Sequence, residues 1–380
     1  MTIFNPRKCK VLQIAIWAGC FPLLVACASS TEKPRPAELA PNAALVGVSL
    51  VWSAKMGGVT FPLDVAVQGH QIALASTDGT VAVLEADTGR DVWRFNVGEP
   101  LAAGVGSDGK TAVVVTQSNV VVALAQGREL WRQKLAAQVY TAPLVAGARV
   151  FVLAADRSVT AFDGLTGRKL WSQQRSGEAL VLRQSSAILA VGDTLVVGLS
   201  GRMVGLNPLS GSVRWEVPLA TARGANDVER LVDLVGNVSR DGSVVCARAF
   251  QARIGCVDAR RGTLVWSQSA NGSVGLNGNP QVVFGVESDG KVIAWDRSTG
   301  DRLWSVDALR FRGLTAPVVA GHSVVVGDNT GLLHLLSTEN GSPLNRLPTD
   351  GSAIAAAPVL AGETLVAVTR QGGIFGFKPE

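Results

Sequence analysis

The sequence contains few of the side chains from which enzymes build metal sites and acid–base centres. It has three histidines, and none has a partner at metal-ligand spacing: His70, His322 and His334. A Gly-x-Ser-x-Gly nucleophile turn and a phosphate-binding loop are both absent. We therefore predict no catalytic residue, no metal and no cofactor, and we interpret His334, on a strand position, as a structural histidine. The chain is expected to bind partners and not to be an enzyme.

Positive charge is also scarce once the first residues are set apart. Residues 1–26 hold three of the 35 basic residues and none of the 30 acidic ones, which leaves the rest of the chain with a net charge of +2. A nucleic-acid-binding surface needs a clear basic excess. The composition therefore predicts no nucleic-acid partner.

Residues 1–26 have the layout of a secretory signal peptide. Basic residues precede an apolar stretch, Val11 to Ala26, that is shorter than the about 20 residues of a membrane span. The following Leu24-Val25-Ala26-Cys27 resembles the lipobox of bacterial lipoproteins, which implies that Cys27 carries the lipid. Ala28 and Ser29 then imply the outer membrane, on its periplasmic face. An ordinary signal peptide with a chance cysteine is the alternative.

The rest of the chain is built from a repeat. Tryptophan recurs at spacings of 41, 38, 40, 44, 51 and 38 residues, and Asn345 follows after a further 41. Turn motifs that contain Asp and end in Thr-Gly accompany it in several copies. The tryptophans are Trp52, Trp93, Trp131, Trp171, Trp215, Trp266 and Trp304. A period near 40 with several short strands is typical of a propeller blade. We predict an all-β, eight-bladed propeller over residues 47–380 with four antiparallel strands per blade, after a flexible lipid-anchored tether at 27–46.

The two ends of the repeat region complement each other. The last repeat, Gly372 to Phe377, ends before its final strand, whereas Leu50-Val51-Trp52 stands alone before the first repeat. If this N-terminal segment supplies the missing outer strand, the ring closes and no open edge remains. The propeller itself is expected to be monomeric.

Two further features have structural interpretations. Tryptophans that recur at one point in each blade are predicted to pack against the neighbouring blade. Cys246 and Cys256 flank a hairpin, and a two-residue turn at Gln251-Ala252 would direct their side chains to opposite faces. We therefore predict that the two cysteines are unbridged, whereas a three-residue loop would reverse this conclusion.

Two segments depart from the repeat. One runs from Ser176 to Ser185, and the other inserts polar residues from Thr221 to Arg230, followed by Leu231 to Asp233. Insertions in propellers emerge at the surface, where binding sites are built. A tolerated insertion before an ordinary strand is the alternative.

The lipobox, the short tether and the eightfold tryptophan repeat together resemble the BamB family, lipoprotein subunits of the outer-membrane β-barrel assembly machinery. The resemblance covers the whole chain and implies binding to the periplasmic POTRA domains of BamA. The family's exposed Leu-x-Leu-Arg loop matches Leu180, Leu182 and Arg183 here, and its acidic segment matches Glu229, Arg230 and Asp233. Val235 replaces the last aspartate of that segment. Nascent outer-membrane proteins are a further candidate partner.

Two other functions fit the same repeat. A quinoprotein dehydrogenase that uses pyrroloquinoline quinone is one, although its calcium-binding carboxylates and adjacent cysteines are not recognisable here. A lipid-anchored module that binds the cell envelope is the other, and the single tyrosine argues against it.

Overall fold

The computed structural model describes residues 34–176, 180–222, 225–227 and 230–380. These residues form 32 β-strands. They contain no helix long and apolar enough to cross a membrane. The strands are β1 (Val48–Lys55), β2 (Ala66–Gln68), β3 (Gln71–Ala75), β4 (Thr80–Glu85), β5 (Asp91–Asn96), β6 (Leu101–Ser107), β7 (Ala112–Thr116), β8 (Val120–Ala125), β9 (Arg128–Lys134), β10 (Leu144–Ala146), β11 (Arg149–Leu153), β12 (Ser158–Asp163), β13 (Lys169–Gln174), β14 (Ile188–Val191), β15 (Thr194–Leu199), β16 (Arg202–Leu206), β17 (Val213–Pro218), β18 (Leu234–Asp241), β19 (Val244–Ala249), β20 (Arg253–Asp258), β21 (Thr263–Ser269), β22 (Leu276–Gly278), β23 (Val282–Val286), β24 (Val292–Asp296), β25 (Arg302–Val306), β26 (Val318–Ala320), β27 (Ser323–Gly327), β28 (Leu332–Ser337), β29 (Pro343–Pro348), β30 (Val359–Ala361), β31 (Thr364–Val368) and β32 (Gly373–Pro379).

The strands form eight four-stranded antiparallel sheets, which are the blades of a propeller. Blades 1 to 7 take four consecutive strands each, from β2–β5 to β26–β29. Blade 8 consists of β30, β31 and β32, with β1 as its outer strand. β1 pairs with β32 from Val48 opposite Pro379 to Lys55 opposite Gly373. The predicted fold and the closure of the ring by the N-terminal strand are confirmed.

The middle strands of each blade are continuous apolar runs. β7 and β27, for example, are buried at every position, whereas the outer strands β5 and β13 are largely exposed or half-buried. A middle strand loses both faces to neighbouring blades, so valine and alanine are favoured at successive positions. The core therefore lies in layers between the blades.

The recurring tryptophans join each blade to the next. In five of them the indole Nε1 donates to a backbone oxygen in the third turn of the following blade, at 2.7–3.1 Å. The pairs are Trp52 with Ala86, Trp131 with Gly164, Trp171 with Pro208, Trp266 with Arg297, and Trp304 with Thr338. The ring lies flat on the turn glycine, and a Cβ on Gly89 would come within 2.3 Å of Trp52. The packing role predicted for the tryptophans is confirmed.

Asn345 occupies the tryptophan position of blade 7 because blade 8 has no turn between its third and fourth strands. The third and fourth strands of blade 8 come from opposite ends of the chain, so no turn is available for an indole to cover. Asn345 instead donates its Nδ2 hydrogen to Val46 O at 2.7 Å, just before β1. A short amide thus fastens the seam of the ring where a tryptophan fastens the other blades.

The residues before β1 pack against blade 7. Leu45 N donates to Leu344 O at 2.7 Å, and Arg346 Nη2 donates to Ala40 O at 2.9 Å. Asn42 Nδ2 donates to Asn345 Oδ1 at 2.9 Å. We call Pro36–Val46 the strap. It runs antiparallel to the outer strand β29, in a region for which the sequence predicts a flexible tether.

Cys246 and Cys256 form a disulfide, so the prediction that they are unbridged is wrong. The hairpin closes with Ala249 opposite Arg253, which leaves three residues, 250–252, in the loop. The longer loop changes the register by one residue and places Cys246 directly opposite Cys256, on the same face. Gln251 adopts the positive φ of 47° that this turn requires.

Candidate partner-binding surface

The two irregular loops lead into the inner strands of adjacent blades. The first joins β13 to β14 and the second joins β17 to β18. With four antiparallel strands, each blade ends on the face where the next begins. Both loops therefore emerge on the same face of the ring, which also carries the turn between the second and third strands of each blade.

The first loop presents two of its predicted contact residues to solvent. Leu180 is 41% exposed. Arg183 is exposed, with its guanidinium carbon 5.9 Å from the centre of the Tyr140 ring. Leu182, between them, is half-buried. Leu180 and Arg183 thus offer an apolar anchor beside a cation that an aromatic ring holds in place.

Asp233 joins the second loop to the first. Its Oδ2 accepts a hydrogen bond from Leu182 N at 3.0 Å. Burial raises the pKa of Asp233, whereas this hydrogen bond and the charge of Arg157 act against the increase. The structure therefore brings Leu182 and Asp233 together, and Asp233 holds the first loop in position.

Arg157 supports the first loop and was missed by the sequence predictions. Its Nη2 donates to Leu180 O at 3.2 Å and its Nε donates to Ser200 Oγ at 2.6 Å. It is buried, with a φ of 63°, at a turn position that other blades fill with Gly79 or Gly290. A non-glycine residue in this conformation costs about 1 kcal/mol or more. An arginine in the glycine position of the repeat was the available signal.

Of the other predicted residues, the structure describes Arg230 but not Glu229 or Cys27. Arg230 is exposed, and its backbone N–H donates to Asn226 O at 3.3 Å. Glu229 and Cys27 lie outside the described residues. The structure thus gives positions for Leu180, Leu182, Arg183, Arg230 and Asp233.

The first loop continues into the mouth of the central channel. Ser185 Oγ donates to Asp64 Oδ2 at 2.8 Å, across the ring from blade 4 to blade 1, and Gly236 N donates to Ser185 O at 2.8 Å. Burial raises the pKa of Asp64, and the hydrogen bond from Ser185 opposes this increase. Arg183, Gln184 and Ser185 line a cavity of about 490 Å³ at this mouth. Residues 180–185 are therefore held by hydrogen bonds at Leu180, Leu182 and Ser185.

Titratable side chains elsewhere have structural partners. His334 is buried and its Nε2 lies 3.0 Å from Asp328 Oδ2, and the exposed His70 pairs with Asp87 at 3.0 Å. Among the described residues, no three His, Cys, Asp or Glu side chains are grouped so that they could hold a metal ion. The structural interpretation of His334 is consistent with these contacts.

Known proteins that are similar in sequence to this chain share one description. A family model for the outer membrane protein assembly factor BamB matches residues 77–306 and 299–380. The outer membrane protein assembly factor BamB of Burkholderia pseudomallei is 37% identical over 363 residues, which is 94% of this chain and 95% of the relative. The chain belongs to the BamB family. A crystal structure of BamB from Moraxella catarrhalis superposes with a TM-score of 0.80 at 25% identity, over 87% of this chain and 99% of that one.

The BamB fold is shared with enzymes. The quinohemoprotein alcohol dehydrogenase from Comamonas testosteroni superposes with a TM-score of 0.68 at 14% identity, over 90% of this chain and 78% of that one. Such a likeness concerns the fold alone. Similarity to BamB, in contrast, extends to sequence over nearly the whole chain.

Proposed function

We propose that this protein is a non-catalytic scaffold subunit of the outer-membrane β-barrel assembly machinery. It is anchored to the periplasmic face of the outer membrane through lipid on Cys27. It binds the POTRA domains of BamA through Leu180, Leu182 and Arg183, next to Glu229, Arg230 and Asp233 on the second loop. Membership of the BamB family supports the role in assembly.

The observation that carries the proposed contact is an exposed leucine in the segment 180–185, which hydrogen bonds hold in place. Leu180 is 41% exposed, yet its carbonyl is bonded to the buried Arg157. The amide of Leu182 is bonded to Asp233, and Ser185 is bonded to Asp64. A preorganised loop loses little conformational entropy on binding, which favours a small hot spot.

Substitution of Leu180→Ala together with Arg183→Glu is expected to weaken binding to BamA about 100-fold, because hot-spot truncation and charge reversal act together. The fold should be retained because both side chains are exposed and surface substitutions cost little stability. Binding of the purified variant to the periplasmic domains of BamA measures the first effect. Circular dichroism of the same sample measures the second.

Leu165→Ala with Arg168→Glu is a matched control. Both residues are exposed and have the same spacing, but they lie on the β12–β13 turn, on the opposite face of the same blade. This variant should bind BamA like the unsubstituted protein. Normal binding by a folded Leu180/Arg183 variant, or equal losses in both variants, would exclude this surface.

Substitution of Cys27→Ser is expected to abolish lipid attachment, because the thiol of Cys27 forms the thioether bond to the lipid in the proposed maturation. The variant should be absent from washed membranes, and mass spectrometry of the unsubstituted protein should show an acylated Cys27. A mature protein with an unmodified Cys27 would contradict the proposal.

A further inference from the structure

The strap begins beside an exposed aromatic side chain. Ala37 N donates to Arg310 O at 2.9 Å, and Arg312 Nη1 donates to Ala37 O at 3.1 Å. Phe311 lies between these two arginines in the loop that joins β25 to β26. The start of the strap is therefore fixed on both sides of Phe311.

Both the solvent exposure and the backbone conformation of Phe311 are energetically unfavourable. Its side chain is 38% exposed, and its φ is 57°, a conformation that is rare for a bulky residue. In the corresponding loops after β5 and β29, the residues with positive φ are Gly98 and Gly351. Strained, exposed residues of this kind are concentrated at functional sites.

The neighbours of Phe311 hold the ring in place and do not cover it. The guanidinium carbon of Arg310 lies 5.1 Å from the ring centre, and Arg310 Nη2 pairs with Asp289 at 3.1 Å. Arg312 is bonded to the buried Asp328 at 2.8 Å. The aromatic ring is thus presented on a rigid loop.

The strap also shortens the connection to the proposed lipid anchor. Cys27 and Pro36 are nine residues apart, so the extended chain limits their separation to about 30 Å. Without the strap the connection would run to Val48, and the limit would be about 70 Å. Since the lipid of Cys27 enters the bilayer, the strap confines one edge of the ring to the neighbourhood of the membrane surface.

We propose that the strap holds the edge formed by blades 6 and 7 against the outer membrane, and that Phe311 contacts the lipid surface there. Phenylalanine in the interface region of a bilayer buries its ring among acyl chains, and the arginine beside it can reach phosphate headgroups. The proposal rests on lipidation of Cys27 as part of the proposed function. The BamA-binding loops, which connect blades 3 to 5, emerge on the same face of the ring as the loop of Phe311, two to three blades further round the ring.

The test uses the lipidated protein in vesicles of phosphatidylethanolamine and phosphatidylglycerol that contain a headgroup quencher. With Cys27 acylated and Cys246 bridged to Cys256, an added cysteine is the single free thiol of the mature chain. A fluorophore on Phe311→Cys should be quenched several-fold more than one on Leu165→Cys, which is 76% exposed on the opposite side. Ala308→Cys, exposed on the same loop as Phe311, gives a second label if Phe311→Cys does not fold.

Release of the strap provides the decisive comparison. Ala37→Pro with Asn42→Ala and Arg346→Ala removes the hydrogen bond of Ala37 N to Arg310 O and those to Asn345 Oδ1, Arg346 O and Ala40 O, but keeps those of Leu45 and Val46. Quenching at residue 311 should then fall towards the level at residue 165, while the protein still floats with the vesicles. Protein that floats but shows equal quenching at both labels would overturn this inference. Protein that does not float would overturn the lipid anchor and hence the proposed function.

Discussion

Deletion of residues 28–55 is expected to lower the melting temperature by about 10 °C or more, because it opens the ring. β32 loses its partner along the full length of β1, and blade 1 loses the indole that covers Gly89. Removal of a packed tryptophan alone costs about 3–5 kcal/mol, and the lost ladder adds to this. At about 2 °C per kcal/mol for a domain of this size, the shift is readily measured by differential scanning calorimetry.

Deletion of residues 28–34 is the control for this experiment. It removes part of the chain before the strap and retains both the strap and β1, so the melting temperature should not change. A ring that melts at the same temperature without β1 would show that blade 8 does not depend on its N-terminal strand.

Substitution of Asp328→Ala is expected to destabilise the fold by about 3–5 kcal/mol, since it leaves two buried cationic or polar side chains without their partner. Asp328 is 1% exposed and accepts hydrogen bonds from Arg312 Nε at 2.8 Å and His334 Nε2 at 3.0 Å. Thr330 and Leu332 donate backbone N–H groups to it as well. Denaturant unfolding measures the change, and a loss below about 1 kcal/mol would contradict it.

The effect of Asp328 should depend on pH. Burial by itself raises the pKa of Asp328, but hydrogen bonds from His334, Leu332 and Thr330 outweigh burial and hold the pKa well below its ordinary value. The carboxylate therefore stabilises the fold above the unfolded-state pKa of about 4, and this contribution is lost as the pH falls below that value. The difference between the unsubstituted protein and Asp328→Asn should shrink below about pH 4.

Asp108→Ala is a matched control for Asp328. Asp108 is exposed and also accepts backbone hydrogen bonds in a turn, from Lys110 and Thr111. Its removal leaves no buried charge unpaired, so it should cost about 1 kcal/mol or less. Equal losses in the two variants would indicate that the turn, and not the buried ion pair, is the source of the effect.

The fold could be predicted because the residues that specify each blade recur at a regular spacing in the sequence. The tryptophan spacing gives the number of blades, and the single Leu50-Val51-Trp52 segment has one place in a closed ring. The location of the candidate site could be predicted, since its two loops are the segments that interrupt the regular tryptophan spacing. Position in the ring follows from the repeat, and Leu180 and Asp233 consequently lie on one face.

Other features depend on loop lengths and single contacts that the repeat spacing does not specify. One additional residue in the loop 250–252 decides whether Cys246 faces Cys256. The strap has no apolar alternation, and its docking requires Asn345, about three hundred residues away in the chain. Arg157 differs from these features, since the repeat shows an arginine at a position that other blades fill with glycine.

The strap also determines which contacts of the propeller first bear a force applied to the N-terminal segment. In the proposed function the N-terminus is anchored to the membrane, so the chain comes under tension towards β1 whenever a bound partner moves away. The strap lies before β1, and its bonds to Arg312, Arg346 and Leu344 must break first. These bonds therefore break before the pairing of β1 with β32 is loaded. They protect the pairing that closes the ring, which tension on the N-terminus would otherwise separate strand by strand.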